Sequence, residues 1–218
     1  ECPSERRKFL DIELSQMERL YLYQLTNYNK ILVQRNNLLK QIRFQNNLIE
    51  TLEAWDIQLV KYGSEVIKYR EKFIKHLGEV CQKIHNKLTG GKEKILLEYD
   101  RDVGYDSYLT ELAKKRQKDL KYSTTTVGPH RDDISFIVNG IDIRKYGSQG
   151  QQRTAALSLK LAQIQLMREV MKESPILLLD DVLSELDSNR KTYLLESIKD
   201  TQTIITCTGL DEFISKHL

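Results

Sequence analysis

Apolar side chains recur at alternating four- and three-residue steps through Leu48, Leu52, Trp55, Leu59, Tyr62, Val66, Tyr69 and Phe73. That is an a/d heptad seam, the pattern of a helix lying along a partner helix. It continues loosely through Leu77, Val80, Ile84 and Leu88 and stops at Gly90-Gly91, which reads as a C-cap pair. Upstream, Leu14, Met17, Tyr21, Leu25, Tyr28, Leu32, Leu39 and Ile42 supply a second stripe, with Asn46-Asn47 as the turn between the two. Pro3, Pro129 and Pro175 are the only prolines, so no proline interrupts these runs, and the first glycine is Gly63. The pattern predicts an antiparallel helical arm over about residues 4–90.

After Gly91 the texture changes. Ile95 to Tyr99 reads as a short strand and Tyr108 to Lys121 as a charged helix. Ile134 to Val138 and Ile141 to Ile143 flank Asn139-Gly140, a hairpin signal. Gly150 to Lys172 is helical by composition, and Asn189 to Ser197 is a further helix. Ile176 to Leu179 and Thr203 to Thr206 read as buried parallel strands. This alternation is the α/β pattern, so the fold class expected is α+β or α/β with an arm: residues 1–92 arm, residues 93–218 the α/β part.

Composition narrows the class. Of 218 residues, 40% are hydrophobic and 30% charged, an excess of charge over the usual quarter that suits long solvated helices. No run approaches the ~20 apolar residues of a membrane span, so no membrane partner is expected. Cys2, Cys81 and Cys207 are scattered and show no CxxC spacing, which points away from a disulfide framework or zinc site and towards a reducing cytosol. The start, Glu1-Cys2-Pro3, has no initiator Met and suggests a processed or truncated chain.

The net charge of +3 decides nothing about partners, but its distribution does. From Arg19 to Ile49 there is no acid, while Arg19, Lys30, Arg35, Lys40 and Arg43 are all cationic. Such a helix is a candidate phosphate-facing surface or an ordinary solvated face. Arg6, Arg7 and Lys8 form a cationic triplet with the same two readings, and Lys114, Lys115, Arg116, Lys118 and Lys121 make a rival patch.

Two places carry candidate chemistry. Ile176 to Leu179 ends in Asp180-Asp181, and open α/β sheets place ligands at the C-terminal ends of their strands. A carboxylate there can help hold Mg²⁺ beside nucleotide phosphates, and a second can polarise an attacking water. Ser148-Gln149-Gly150-Gln151-Gln152-Arg153 opens the Ala/Leu-rich helix, where free backbone N–H groups make an anion site, or Ser148 is simply an N-cap.

Order and spacing link the two. Ser148-Gln149-Gly150-Gln151 resembles the signature loop of an ABC-type ATPase, Ile176 to Asp180 its Walker B strand, and Ser184-Glu185-Leu186-Asp187 its D-loop. Pro3 to Asp11, Thr126 to Asp133 (Gly128-Pro129-His130-Arg131-Asp132-Asp133 included) and Gly147 to Arg153 together resemble the RecF family, bacterial recombination-mediator ATPases related to SMC heads. The resemblance implies an ABC-ATPase-like half-head, the signature, Walker B and D-loop portion, with a long antiparallel helical arm. It implies a cytoplasmic bacterial protein of DNA replication, repair and recombination within the SOS response to DNA damage.

On that resemblance Asp180 serves Mg²⁺, Asp181 activates water, and Asp187 communicates across an ATP-dependent homodimer. Ser148, Gln149, Gly150 and Gln151 contact the γ-phosphate bound by the partner subunit, and Thr208 stands where many relatives of the class carry a His. The partners implied are DNA at single-strand gaps and single/double-strand junctions, and RecR, with which such a mediator promotes recombinase loading. The family's ATPase is slow. No G-x-x-x-x-G-K-[ST] loop occurs here, so the chain is expected to lack the lobe that carries it. Alone it is expected to bind no nucleotide and be inactive, with exposed apolar strand edges. The alternatives are another SMC-like head, or a non-catalytic head-and-arm interaction module.

Single residues complete the reading. His130 is expected to be a satisfied structural histidine and Arg131 to pair locally with Asp132 or Asp133. His76 and His85 are nine apart, too far for a metal pair on one helix, and both are read as helix-surface residues.

Overall fold

The structure is a computed structural model and describes residues 2–172, 174–183 and 186–206, with the side chain of Asn46 left aside. Three helices open the chain: α1 (Pro3–Met17), α2 (Arg19–Ile42) and α3 (Leu52–Leu88), with a 3₁₀ turn at Asn46–Thr51 before α3. Strand β1 (Ile95–Asp100) follows, then α4 (Tyr108–Lys114), α5 (Arg116–Tyr122), a 3₁₀ turn at Pro129–Arg131, and strands β2 (Asp133–Val138) and β3 (Ile141–Asp142). The chain continues through α6 (Ile143–Tyr146), α7 (Gln149–Met171), β4 (Leu177–Asp180), α8 (Ser188–Ser197) and β5 (Thr203–Thr206). The strands form one sheet in the order β1-β2-β3 and a parallel pair β4-β5.

Two compact units result. Residues 1–76 and 97–135 form one, and residues 77–96 and 136–218 the other. The spatial division therefore departs from a cut at residue 92. Residues 97–135 fall in the same unit as the greater part of the helical arm, and several of their polar groups pair with α1, α2 and α3. Helix α3 contributes to both units.

In the first unit the arm ends in a small core. Leu38, Leu39, Ile42 and Leu52 are buried, and Leu48, Ile49, Trp55 and Leu120 pack against them. On α3 the periodicity holds but the buried face is turned. Leu52, Leu59, Val66, Phe73 and Val80 are buried, whereas Trp55, Tyr62 and Tyr69 are only half-buried. The other buried row is Asp56, Gly63, Arg70, Leu77 and Ile84, one residue beyond the d positions. A seam read from apolar residues caught Leu77 and Ile84 of this row but missed Asp56, Gly63 and Arg70, two charged residues and a glycine.

Gly63 sits there for contact. A Cβ on it would stand 2.6 Å from the Tyr108 ring and 2.9 Å from that of Tyr28. Gly128, at φ +133°, faces the hydroxyls of the same two tyrosines.

In the second unit β2 and β3 form the expected hairpin, with Ile137 opposite Asp142 and Val138 opposite Ile141. Asn139 and Gly140 turn it at φ 49° and 82°, the positive pair a two-residue turn demands. Leu177, Leu178, Leu179 and Asp180 pair in parallel with Thr203, Ile204, Ile205 and Thr206. The strands are parallel but not buried on both faces. Leu179 points inward, whereas Ile176, Leu178 and Ile204 are 62%, 70% and 57% exposed. Parallel sheets are normally covered on both sides, so this face of β4-β5 is exposed apolar surface among the described residues.

Candidate functional site

At the C-terminal end of β4, Asp180 and Asp181 are both exposed. Thr206, at the matching end of β5, donates its hydroxyl to Asp180 Oδ1. The Asp181 backbone N–H donates to the Thr206 carbonyl at 3.1 Å and lies 3.2 Å from its Oγ1. Asp181 has φ +50°, a left-handed conformation that costs free energy in a non-glycine residue. The strand end thus turns sharply and projects two adjacent carboxylates. Among the described residues no group of three or more His, Cys, Asp or Glu could hold a metal alone.

At the start of α7 the sequence S-Q-G-Q folds as a capping box. Ser148 Oγ accepts the Gln151 N–H at 3.2 Å, and Gln151 Oε1 accepts the Ser148 N–H at 3.1 Å. Ser148, Gln149 and Gly150 are exposed, so the positive end of a 23-residue helix opens to solvent. The Gln151 side chain points elsewhere, its Nε2 donating to Glu93 Oε1 at 3.1 Å.

Asp187 is the N-cap of α8, accepting the Arg190 N–H at 3.0 Å, and its carboxylate lies 3.5 Å from Arg190 Nε. Ser184, Glu185 and Thr208 lie outside the described residues.

The cationic candidates divide sharply. Lys8, Arg19, Lys30, Lys40 and Arg43 are exposed. On a wheel of 3.6 residues per turn, Arg19, Lys30 and Lys40 fall within about 80° of one another and opposite the buried face of α2. Arg6 is spent on Asp133, its Nε and Nη2 each 2.7 Å from one carboxylate oxygen, and Arg7 donates to the Asp132 carbonyl at 2.8 Å.

Arg35 is not a phosphate-facing residue at all, because it is fully buried. Its Nε lies 2.7 Å from Asp56, and its Nη1 2.8 Å from both Asp119 and Thr125 Oγ1. The signal was present: Tyr21, Tyr28, Arg35 and Ile42 are seven apart, so Arg35 occupies a heptad core position.

Sequence reasoning also missed what the Gly128-to-Asp133 string does. Arg70, buried on α3, donates to the Pro129 carbonyl at 2.7 Å, to Asp132 at 3.2 Å and to Asp11 at 2.7 Å. Tyr99 also donates to Asp132, and the Asp102 N–H reaches it at 2.9 Å. The string is a clasp that binds α1 through Arg6 and Arg7, α2 through Tyr28 and α3 through Arg70. Arg131 is accordingly not the partner of Asp132 or Asp133; those carboxylates serve Arg70 and Arg6. His130 fills the structural part expected of it: its Nδ1 accepts from Tyr28 at 2.7 Å and its Nε2 faces the Thr125 carbonyl at 3.1 Å. Burial, with Arg131 and Arg7 nearby, holds it below the ordinary histidine range.

His85 is a second correction. It is fully buried rather than on the helix surface, with Nδ1 2.9 Å from Ser158 Oγ and Nε2 3.2 Å from Glu93 Oε2. Desolvation lowers its pKa against the pull of Glu93. Cys81, in the same helix, has its thiol pushed up to about 12 by burial.

The DNA replication and repair protein RecF of Agathobacter rectalis is 58% identical over 215 residues, covering 99% of this chain and 59% of that protein. RecF of Lachnospira eligens is 56% identical over 218 residues, covering 99% of this chain and 60% of that protein. Over nearly its whole length the chain is similar to RecF proteins. A solved structure of the recombination mediator RecF with ATP, in the RecFOR pathway, superposes with a TM-score of 0.89 at 39% identity, over 97% of this chain and 59% of that one. The Smc head domain of Pyrococcus furiosus, with an extended coiled coil, superposes at a TM-score of 0.53 and 15% identity over 99% of this chain and 53% of that one, a likeness of fold alone. The fold is therefore that of an ABC-type ATPase head portion with long helices. No protein-family model matches the chain. The chain spans about three fifths of the length of the RecF proteins it matches.

Proposed function

We propose that this chain is the signature and Walker B part of a RecF-type ATPase head, with an arm that engages DNA. The observation that carries the reading is the exposed Asp180-Asp181 pair at the end of a parallel strand, held in place by Thr206. In the complete protein Asp180 would hold Mg²⁺ and its water, and Asp181 would orient the attacking water. Ser148 with the N–H groups of Gln149 and Gly150 would contact the γ-phosphate held by a second subunit, making an ATP-dependent homodimer. Asp187 would act across that dimer, and Thr208 would reach the γ-phosphate. Phosphoryl transfer needs positioning and charge stabilisation, so a chain holding only these parts has little activity alone.

The same reading assigns DNA as the partner of the exposed cations of α2, at gaps and single/double-strand junctions. RecR binds at or beside the arm, and the complex promotes recombinase loading in the bacterial cytoplasm. The relatives' names, the identity over the whole chain and the acid-free face of α2 support it. The bare apolar face of β4-β5 is the surface on which residues beyond these 218 would pack. No helix among the described residues is long and apolar enough to cross a membrane.

The test uses the full-length protein. Asp181→Asn should abolish ATP hydrolysis and leave ATP-dependent dimerisation intact, whereas Ser148→Arg should abolish dimerisation and leave monomer ATP affinity intact. Hydrolysis that survives Asp181→Asn at the wild-type rate rejects the assignment. In parallel, MgATP titrated by calorimetry into the 218-residue chain should give no detectable heat of binding; tight binding would mean the phosphate cradle is built from these residues.

A further inference from the structure

In the second unit a polar chain, buried at His85 and Ser158 and half-buried at Glu93 and Gln151, is left unused by the nucleotide reading. It begins in the last turns of α3 and ends at the start of α7, within the second unit. His85, fully buried, lies between Ser158 Oγ of α7 and Glu93 Oε2, at 2.9 and 3.2 Å. The other oxygen of Glu93 accepts the Gln151 side-chain amide at 3.1 Å. Glu93 is itself tethered: its N–H reaches Thr89 Oγ1 at 3.4 Å, and that hydroxyl is 2.8 Å from the His85 carbonyl.

We propose that Glu93, backed by His85, is a positioning residue that fixes the Ser148–Gln151 turn for its contact with a nucleotide bound by a second subunit. The proposal rests on the reading of that turn given above, and it changes the part played by Gln151. Both ends of the Gln151 side-chain amide are occupied, the oxygen by the Ser148 N–H and the nitrogen by Glu93. Its backbone N–H is taken by Ser148 Oγ. Gln151 therefore has little left for a phosphate. Its work is to close the turn, leaving the Ser148 hydroxyl proton and the Gln149 and Gly150 N–H groups directed outward. Reversing the amide would set its carbonyl oxygen against the Glu93 carboxylate, so Glu93 also decides which way Gln151 faces. Preorganised donors of this kind lose effect when their support is removed, even though none of the donors is itself altered.

The experiment compares full-length wild type with Glu93→Ala, Glu93→Gln, Gln151→Ala and Ser148→Arg. Monomer MgATP affinity is measured at high dilution, ATP-driven dimerisation by sedimentation, and thermal stability alongside. Loss of one charge-assisted hydrogen bond predicts that Glu93→Ala weakens dimerisation about tenfold with monomer ATP affinity within about twofold. Glu93→Gln keeps an acceptor for Gln151 and offers His85 a donor, so it should restore dimerisation to within about twofold of wild type. Gln151→Ala should reproduce the Glu93→Ala defect, and combining the two should add nothing, as for residues acting as one unit. The Gln151 variant and the double variant also decide the matter if Glu93→Ala fails to fold. If Ser148→Arg blocks dimerisation while Glu93→Ala and Gln151→Ala dimerise like wild type, the positioning role is wrong and the reading of the turn stands. If Ser148→Arg dimerises normally, the reading of the turn fails, and the proposal with it.

Discussion

Replacing Arg35 with alanine in the full-length protein should destabilise the arm rather than weaken a DNA contact. The guanidinium is fully buried and touches two carboxylates, with Nε 2.7 Å from Asp56 and Nη1 2.8 Å from Asp119. The two ends are not equivalent. Asp56 keeps a second cation, Arg116, at 2.7 Å. Asp119, also fully buried, keeps only the N–H and hydroxyl of Thr126 at 2.9 and 2.6 Å. The variant thus strands one buried carboxylate without a cation, a change that costs about 3–5 kcal/mol. Two charge-assisted hydrogen bonds at about 1.5–3 kcal/mol each lead to the same range. In a domain of this size that lowers Tm by about 10 °C, read by calorimetry or circular dichroism. Adding Asp119→Asn should recover part of the stability, because the stranded charge is removed. Arg35→Lys should fall between, since an ammonium cannot span both acids with a planar fork. A Tm within 2 °C of wild type, together with abolished DNA affinity, would refute the reasoning and return Arg35 to a phosphate-facing role.

Lys30→Glu with Lys40→Glu should leave Tm nearly unchanged and lower DNA affinity in fluorescence anisotropy, with the slope of log K against log salt reduced by about 0.9 for each DNA phosphate no longer neutralised; an unchanged slope moves the DNA surface off α2. Gly63→Ala should destabilise by about 1–3 kcal/mol, because its Cβ would overlap the Tyr108 and Tyr28 rings, and a thermal melt reads the change. Burial holds both His85 and His130 below their ordinary pKa, so the unfolded chain binds more protons as pH falls through about 6.5. Stability should therefore drop between pH 7 and pH 6, and His130→Asn should flatten that drop in denaturant titrations. Leu178→Ser with Ile204→Thr should reduce self-association of the 218-residue chain in sedimentation and its binding of a hydrophobic dye, since both side chains lie on the bare face of β4-β5.

Much of this architecture is legible in the residue pattern, for reasons that are local. Helix α3 ends just before Gly90-Gly91, the hairpin turns at Asn139-Gly140, and α7 starts at Ser148, because breakers, turn residues and caps act over one or two turns of chain. The order of signature-like turn, strand and double acid is also a property of the sequence, and it pointed to an ABC-type head, while the strings Pro3 to Asp11, Thr126 to Asp133 and Gly147 to Arg153 carried the resemblance to the RecF family. The break between α1 and α2 at Glu18 was not foreseen, and neither was the split of the charged helix into α4 and α5 at Lys115. No proline or glycine marks either place.

What the tertiary structure alone decided is where each charge ends up. Arg6, Arg35 and Lys40 look alike in a charge count, yet the first is clasped by Asp133, the second is buried between Asp56 and Asp119, and the third faces water. The partner of Arg6 lies 127 residues away along the chain, and those of Arg35 lie 21 and 84 away, beyond any local window. The same holds for His130 with Tyr28, 102 residues apart, and for Glu93 with Gln151, 58 apart. Periodicity says which face of a helix is inward, because a helix repeats every 3.6 residues. It does not say which inward cation meets which inward carboxylate, because that pairing is set by chain segments that only folding brings together.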